Sequence, residues 1–266
     1  MTRFVRPLFA ALLLSLLVAT ASYGHHSWGH YHWASTTSPF TLKTGDNVSS
    51  GWDTYLDGAI SDWNQSVVLD LRKVAGGTTG TVCKPTSGRI ETCNAAYGTN
   101  GWLGIAQIWT TSRSHITQAV TKVNDSYFNT ATYNKPEWRR LVMCQEIAHD
   151  FGLDHQDENF DNPNLGSCMD YTSSPLGPPS NEHPNAHDYE QLQKIYSHLD
   201  SSTTVGAAPP ASAGVDLNNP SEWGRLVRSQ AAGRVQVFER DLQGGGKLVT
   251  HVTWADPEHD RSPLGK

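Results

Sequence analysis

The chain has 266 residues, which is enough for one large domain or for a domain with an appendage. It carries 20 Lys and Arg residues against 26 Asp and Glu residues, so its formal net charge at pH 7 is −6. An acidic chain is poorly suited to binding nucleic acid or an anionic membrane surface, and we expect neither as a partner.

The N-terminus has the features of a secretory signal peptide. Arg3 and Arg6 precede an apolar run over residues 8–19, and small residues follow as far as Ala21. The run is short for a membrane span, so we expect cleavage of residues 1–21, with Gly24 as a second cleavage position. An uncleaved membrane anchor is the alternative. Cleavage removes two positive charges and no negative one, and it leaves a secreted, extracellular protein.

The hydrophobic pattern predicts two strands and a helix in the first part of the chain. A first strand is expected within residues 31–42, and a short buried strand over 66–71. Between them, Asp46 or Asn47 can cap a helix with one apolar stripe. The stripe of this helix consists of Val48, Trp52, Tyr55, Leu56, Ala59, Ile60 and Trp63. A surface loop rich in Gly, Thr and Ser is expected over 74–100.

Further strands and helices are predicted in the middle of the chain. Apolar runs over residues 101–109 and 116–124 indicate strands. A helix follows that Asn134 can cap, with Pro136 in its first turn. A last helix is expected over 186–199, because its apolar residues recur at helical spacing.

The predicted central helix carries metal-ligand side chains and ends in a turn. Gln145 and His149 are four residues apart, so both stand on one face of the helix. Glu146 is one step round from Gln145, where a carboxylate can accept a proton from water that the metal activates. Gly152 suits the left-handed residue that ends a helix, and the reversal brings His155 back toward the same ion.

This spacing resembles the H-E-x-x-H-x-x-G-x-x-H signature of the metzincin clan of zinc metallopeptidases at every position except the first, where Gln145 stands in place of histidine. The sequence Ser-Cys-Met-Asp-Tyr at 167–171 is similar to the methionine turn that underlies the metal in that clan, with Met169 at its centre. The resemblance is to the matrixin and gametolysin type, because gametolysin-like members also read Q-E-x-x-H.

The resemblance implies a fold and a ligand set. The expected fold is an α+β domain over residues 25–200, with a twisted mixed β-sheet, two backing helices, the active-site helix, the methionine turn and a C-terminal helix. Zinc would be held by the amide oxygen of Gln145 and by ring nitrogens of His149 and His155. Glu146 would be the general base in the hydrolysis of a peptide bond.

The resemblance also implies a place for the substrate. The Leu-Gly-x-Ala pattern within residues 101–109 is similar to the edge strand along which metzincins bind an extended peptide, with an ordinary sheet strand as the alternative. Tyr171 is similar in position to the tyrosine that lies near the metal in the astacin and serralysin branches, where it would donate to the oxyanion. A tyrosine that only packs beside the methionine turn is equally consistent with the sequence.

Gln145 is the departure from the family pattern. An amide oxygen is neutral and a weaker donor to zinc than imidazole, so we expect lower metal affinity and treat copper as a second candidate ion. The expected function is therefore a secreted, monomeric metalloendopeptidase that acts on protein or peptide substrates. The alternative is a catalytically impaired metal-binding or adhesive protein that keeps the fold.

The four cysteines form an even set, as expected in an oxidising compartment, and allow three pairings. We favour Cys83 with Cys93, which closes the Gly/Thr-rich loop, and Cys144 with Cys168, which ties the metal-binding helix to the methionine turn. Cys144 as a metal ligand is the competing interpretation, although it points away from the ligand face.

Two other segments are weaker metal candidates. The histidine-rich start of the mature chain suits copper, nickel or zinc, but a flexible polar terminus is the favoured interpretation. It contains His25, His26, His30 and His32. The loop 156–166 suits structural Ca²⁺, but a solvated loop is favoured there. It contains Asp157, Glu158, Asp161, Asn162 and Asn164.

Composition changes after Asp200. Residues 201–216 are rich in small residues and proline and are predicted to be a linker. In the appendage, 217–266, two alternating apolar and polar runs flank a Gly-Gly-Gly turn, which predicts a β-hairpin. A lone hairpin is marginal in water, so we expect it to dock on the main domain or on a partner, and we assign it no function.

Overall fold

The computed structural model describes residues 25–207 and 218–256. The predicted signal peptide lies outside these residues, as does most of the predicted linker. The described part of the chain is an α+β protein with a nine-stranded mixed sheet and four α-helices. The predicted fold class is confirmed at this level.

The elements follow one another in a pattern that places most strands before the main helix. The strands are β1 (His32–Trp33), β2 (Phe40–Asn47), β3 (Leu69–Ala75), β4 (Ile90–Ala95), β5 (Trp102–Thr110), β6 (His115–Asn124), β7 (Arg225–Gln230), β8 (Val235–Asp241) and β9 (Lys247–Trp254). The helices are α1 (Asp53–Trp63), α2 (Asp125–Phe128), α3 (Pro136–His149) and α4 (Ala186–Ile195).

The sheet has a parallel half and an antiparallel half. Its strand order is β3-β2-β4-β6-β5-β9-β8-β7, and β1 pairs with the start of β6 outside this path. Strands β1 to β4 and β6 run parallel to their neighbours. From β6 outward through β5, β9, β8 and β7, every pairing is antiparallel. The C-terminal strands therefore continue the sheet of the main domain.

The main core lies where the helices cover the sheet. Helices α1 and α3 pack against each other, while α1 contacts β3 and α3 contacts β5 and β6. Buried tryptophans contribute much of the apolar volume there, and the indole nitrogen of Trp63 donates to the carbonyl of Cys144 at 3.1 Å. This contact fixes α1 against the segment of α3 that carries the site.

The first helix begins later than predicted. Residues 40–47 form β2, whose backbone groups pair with β3 on one side and with β4 on the other. The helical spacing from Val48 onward is real, but the chain turns at Trp52, and no side chain caps α1. The sheet hydrogen bonds of β2 outweigh the capping signal of Asp46 and Asn47, so the prediction of a cap there is wrong.

The predicted surface loop 74–100 is wrong over part of its length, because β4 lies within it. The sequence did not indicate this strand, because polar residues are expected at the surface, whereas Glu91, Thr92 and Asn94 of β4 are all buried. Glu91 is buried because Arg89 and Asn47 donate to its carboxylate. The predicted disulfide between Cys83 and Cys93 is formed and fastens the loop before β4 to that strand.

Strand 101–109 is present as β5, but it is not an edge strand within the described residues. Its outer side pairs with β9 in an antiparallel register from Trp102↔Trp254 to Trp109↔Leu248. The predicted hairpin is present as β8 and β9, and it docks on the main domain. Strand β7, which the sequence did not indicate, closes this end of the sheet.

Several predicted boundaries shift. Strand β3 begins three residues later than expected and runs to Ala75. Helix α3 has the expected proline in its first turn, but its N-cap is Lys135, not Asn134, and makes no side-chain cap bond. Helix α4 ends at Ile195, four residues early, and the chain then folds back so that Thr204 donates to the carbonyl of Ala34.

None of the helices in residues 25–207 and 218–256 is long and apolar enough to cross a membrane.

Candidate metal centre

Helix α3 carries the predicted site into the core. Its last two turns bury Gln145, Glu146 and His149. A disulfide between Cys144 and Cys168 ties this part of α3 to the turn around Met169, as predicted. The sulfur of Cys144 is therefore committed to this bond, and the competing interpretation of Cys144 as a metal ligand is wrong.

The chain leaves α3 through a left-handed glycine. The amide of Gly152 donates to the carbonyl of His149, and the amide of Leu153 donates to that of Ala148, the pair of bonds that defines a Schellman ending. Gly152 has φ +94°, and a Cβ at this position would lie 2.1 Å from the carbonyl oxygen of Tyr31. Only glycine fits both the conformation and the space, and the reversal directs His155 back to the helix.

Three buried histidines converge behind this turn, and we call them the buried cluster: His149, His155 and His251. Each offers one ring nitrogen, and the three nitrogens lie within 4.8 Å of one another. The Nε2 atoms of His149 and His155 are 3.1 Å apart. The third imidazole, His251, belongs to β9 of the C-terminal hairpin, and its ring centroid lies 4.0 Å from that of His149.

A hydrogen bond fixes the tautomer of one of these rings. The Nδ1 of His149 lies 2.8 Å from the carbonyl oxygen of Leu153, and a carbonyl can only accept. The Nδ1 of His155 lies 3.1 Å from a carboxylate oxygen of Glu158. The Nδ1 of His149 therefore carries the proton, and its Nε2 keeps a lone pair that faces the Nε2 of His155. A proton donated by His155, or a cation bound by both nitrogens, satisfies this contact.

Burial keeps the three imidazoles neutral. Desolvation lowers the pKa of His149 to about 3 and the pKa of His251 to about 3. It lowers the pKa of His155 well below the usual range. Neither ring nitrogen of His251 has a hydrogen-bond partner. Neutral, unpartnered imidazoles are the form that binds a metal, so the donor set fits a divalent ion such as zinc.

Glu146 lies beside this group and is fully buried. The hydroxyl of Thr253, in β9, donates to its Oε1 at 2.6 Å, and its Oε2 lies 3.7 Å from the Nδ1 of His251 without a hydrogen bond. Desolvation raises the pKa of Glu146 to about 7. Gly104 of β5 makes room for it, because a Cβ there would lie 2.6 Å from Oε1. The group is therefore a carboxylate placed to hold or release a proton near neutral pH.

The predicted ligand Gln145 is turned to other partners. Its Nε2 donates to the carbonyl of Cys168 at 3.0 Å, and its Oε1 lies 3.2 Å from the hydroxyl oxygen of Thr253, whose proton is donated to Glu146. Met169 is buried in the adjoining turn, in which the amide of Asp170 donates to the carbonyl of Ser167. The amide oxygen predicted to bind the metal thus lies against β9.

Tyr171 lies against the ring of His155, with a centroid distance of 4.3 Å. Its hydroxyl is 3.4 Å from the hydroxyl oxygen of Thr253. Desolvation raises the pKa of Tyr171 well above the usual range, so the phenol is neutral and able to donate. The structure brings Tyr171 to the same place as Glu146, His149 and His155.

An ion-pair group closes the far side of the centre. Arg228 of β7 donates to both carboxylate oxygens of Asp154, at 2.5 and 2.6 Å, and lies 3.4 Å from Glu158. Burial alone would raise the pKa of Asp154, but the two bonds from Arg228 hold it below the usual range. Asp154, His155 and Glu158 also converge, but Arg228 already supplies their cation.

Strand β9 seals the centre from solvent. His251 and Thr253 project from it toward α3, and Glu146, His149 and His251 have no exposed surface. The cavity that remains beside Gln145, Tyr171 and Thr253 is about 20 Å³, near the minimum that one water needs. In this conformation a peptide cannot reach the buried cluster.

The structure separates the histidines of one weaker metal candidate and shows the internal bonds of the other. His26 is buried, and its Nδ1 bonds to the carbonyl of Asp154, whereas His32 lies beside His115 and Asp200. In the 156–166 loop, the carboxylate of Asp157 accepts from the amide of Asn159 and the side chain of Asn162. Internal loop bonds therefore use both carboxylate oxygens of Asp157.

His251 is the site residue that sequence reasoning missed. It lies about 100 residues from the motif, in a tail that was assigned no function. One signal was available: strand alternation places His251 on the same face as Val249, which is buried in the main core. A histidine on the inward face of a strand is a candidate ligand once that strand docks beside a metal motif.

A scan against models of known protein families found no match to this chain, and a search of curated proteins found none either.

Proposed function

We propose that the chain is a secreted, metal-dependent endopeptidase of the metzincin type, held closed by its own C-terminal strand. The observation that carries the proposal is the pair of Nε2 atoms of His149 and His155 at 3.1 Å, next to the buried carboxyl group of Glu146. The ligand atoms of a tetrahedral zinc site lie roughly 3.3 Å apart for bonds of about 2.0–2.1 Å. This spacing fits an ion between the two rings.

A divalent ion held there supplies Lewis acidity, which activates water and polarises a carbonyl oxygen. The residues of the chain do the rest. Glu146 accepts a proton from the attacking water and passes it to the leaving amine, and its raised pKa suits both transfers. The neutral hydroxyl of Tyr171, which lies against His155, donates to the oxygen that becomes negative.

Strand β9 occupies the side of β5 to which we propose that the substrate binds. It pairs antiparallel with β5 and presents His251 and Thr253 to the centre, which is how an extended peptide would add to the free edge of β5. Because one edge accommodates one strand, β9 and a substrate exclude each other. We therefore propose that the enzyme is latent until β9 leaves.

The third ligand changes when β9 leaves. In the closed form His251 completes the set with His149 and His155. Release of β9 removes His251 and also removes the Thr253 hydroxyl from the amide oxygen of Gln145. That oxygen would then be free to hold the ion, while the bond from the Gln145 nitrogen to Cys168 keeps the side chain in place. In the open form Gln145, His149 and His155 would be the residues that hold the ion.

The test uses a chain that can be cut between β8 and β9. Residues 243–245 form an exposed turn, so a recognition sequence for a site-specific protease is inserted between Gly244 and Gly245. Cutting frees the β9 segment, and mass spectrometry shows when it has left. We expect the cut chain to hydrolyse casein, a chelator to stop this, and Glu146→Gln to abolish it. Glu137→Gln, on the same helix, is the matched control and should leave hydrolysis unchanged.

One observation favours a second candidate function, a metal-binding protein without turnover. The centre is sealed, and three histidines already supply the three protein ligands of a zinc site. The same experiment separates the two functions. A cut chain that has lost β9 and kept its metal but cleaves no protein would support the second, and hydrolysis that survives Glu146→Gln would rule out the proposed mechanism.

A further inference from the structure

A second group of ligand side chains lies outside the buried cluster, and we call it the rim cluster: His32, His115, His198 and Asp200. His32 belongs to β1, His115 begins β6, and the other two follow α4. The pairing of β1 with β6 sets His32 directly opposite His115. The early end of α4 then allows the chain to bring His198 and Asp200 to the same place.

The Nε2 atoms of the three histidines surround the carboxylate of Asp200. His115 Nε2 lies 3.3 Å from Oδ1, and His32 Nε2 lies 3.6 Å from Oδ2. His198 Nε2 lies 4.0 Å from Oδ1 and 3.3 Å from the Nε2 of His32. Two of these separations equal the spacing of roughly 3.3 Å between the ligand atoms of a tetrahedral zinc ion, and the other two, 3.6 and 4.0 Å, are longer.

The orientations of two ligands are fixed by bonds that leave the right atoms free. The Nδ1 of His32 lies 2.9 Å from the carbonyl oxygen of His30, so it carries the proton and Nε2 keeps its lone pair. Ligating histidines are commonly oriented in this way by a backbone carbonyl. Oδ2 of Asp200 accepts from the amide of Ser35 at 3.0 Å, and the amide of Asp200 donates to the carbonyl of Ser35. The carboxylate is therefore held toward the histidines.

The setting allows a metal to enter. The side chains of His32, His115 and Asp200 are 12%, 18% and 13% exposed, and that of His198 is 52% exposed. A surface cavity of about 310 Å³ opens onto His32 and His198. No cationic side chain is bonded to Asp200 among the described residues, in contrast to the Arg228 group beside the buried cluster.

We propose that His32, His115, His198 and Asp200 bind a zinc ion. Three imidazoles and one carboxylate supply the four nitrogen and oxygen ligands that a structural zinc site needs, and a site with four protein ligands leaves no position for a substrate. The site is therefore structural. It fastens the first strand and the segment after α4 to β6, and it does not depend on the proposed peptidase activity.

The test measures zinc bound to the full-length mature chain after metal removal and reloading with Zn²⁺ alone. The wild-type chain should bind two ions, and the double variant His32→Ala/His115→Ala should bind one. His198→Ala, at the most exposed ligand, should weaken binding of the second ion by about 100-fold or more, since even outer-sphere partners are worth roughly 10- to 100-fold. Loading with Co²⁺ in place of zinc should give the visible absorption of a tetrahedral ion. The double variant should show half of this absorption.

The matched control is His25→Ala/His30→Ala, because both residues line the same cavity without belonging to the rim cluster. This control should still bind two ions. If the chain binds only one ion, and that ion is lost with His149→Ala/His155→Ala, the rim cluster is not a metal site. Equal loss of zinc in the control and in His198→Ala would also overturn the proposal, because it would indicate non-specific binding by surface histidines.

Discussion

The buried cluster and the rim cluster use the same kind of ligand in opposite settings. His149, His155 and His251 are sealed beneath β9 and have a general base, Glu146, beside them. The rim cluster instead opens to a cavity and contains its own carboxylate, Asp200. On our proposals, a reactive centre differs from a structural one in its number of protein ligands and in the groups beside them. Burial is a separate property, because β9 alone covers the buried cluster.

The largest expected difference between the clusters is the rate at which a chelator removes their metal. We expect the rim cluster to lose its ion at least about 100-fold faster, because the buried cluster must wait for local opening of β9. Metal release is followed with a coloured chelator on the full chain. Cutting the turn at 243–245 should make the slow phase fast, and equal rates before cutting would contradict the closed form.

The next largest effect is on metal affinity and follows from the proposed exchange of His251 for Gln145. In the uncut chain His251→Ala should strongly weaken metal binding at the buried cluster, whereas Gln145→Ala should change it little. After β9 has been cut and has left, the order should reverse, because only Gln145 remains to complete the set. Metal affinity of both variants, measured before and after cutting, checks this. A Gln145→Ala chain that keeps its metal and its hydrolytic activity after cutting would contradict the exchange.

Gly152 lies close in the chain to a ligand of the buried cluster and packs against the backbone next to a ligand of the rim cluster. It precedes the turn to His155, and a Cβ there would meet the carbonyl oxygen of Tyr31, next to His32. We expect Gly152→Ala to cost about 2–4 kcal/mol of unfolding free energy and to lower metal binding at both clusters. Gly98→Ala is the matched control, with φ +95° but open space, and should cost only about 1 kcal/mol. Denaturant unfolding compares the two, and equal losses would remove the clash with Tyr31 as the cause.

The smallest effect concerns the ion pair that holds the C-terminal strands. Arg228→Met should speed metal release from the buried cluster by about 10-fold, because Asp154 and Glu158 lose their cation while the partly exposed site limits the cost. Metal release from the rim cluster should not change. Arg225→Met, on the same strand with an exposed side chain, is the control. If both variants release the buried metal at the wild-type rate, Arg228 does not contribute to closure.

The sequence predicted the part of the site that is local in the chain. Gln145, Glu146, His149, Gly152 and His155 lie within one helix and one turn, so residue spacing alone places them together. The two disulfides were also predicted, because each joins segments that are near in sequence. Periodicity predicted individual strands and helices, and the α+β class followed from the metzincin resemblance.

The rest depends on distant pairings that spacing does not encode. His251 reaches the buried cluster only because β9 pairs with β5, and the rim cluster forms only because β1 pairs with β6 and α4 ends early. Asp46 and Asn47 were expected to cap a helix because a capping residue is a local signal, whereas the strand partners of these residues are remote in the chain. Sheet pairing decided each of these outcomes.

The central claim is a peptidase that its own strand keeps closed, and one titration tests it most directly. Casein hydrolysis by the chain cut at 243–245 is followed after β9 has left, while a synthetic peptide of residues 247–256 is added back. The account predicts chelator-sensitive hydrolysis that appears on cutting and disappears as the peptide rebinds, with weaker inhibition by a peptide carrying His251→Ala and Thr253→Ala. A cut chain that has lost β9, retains its metal and cleaves no casein would contradict it.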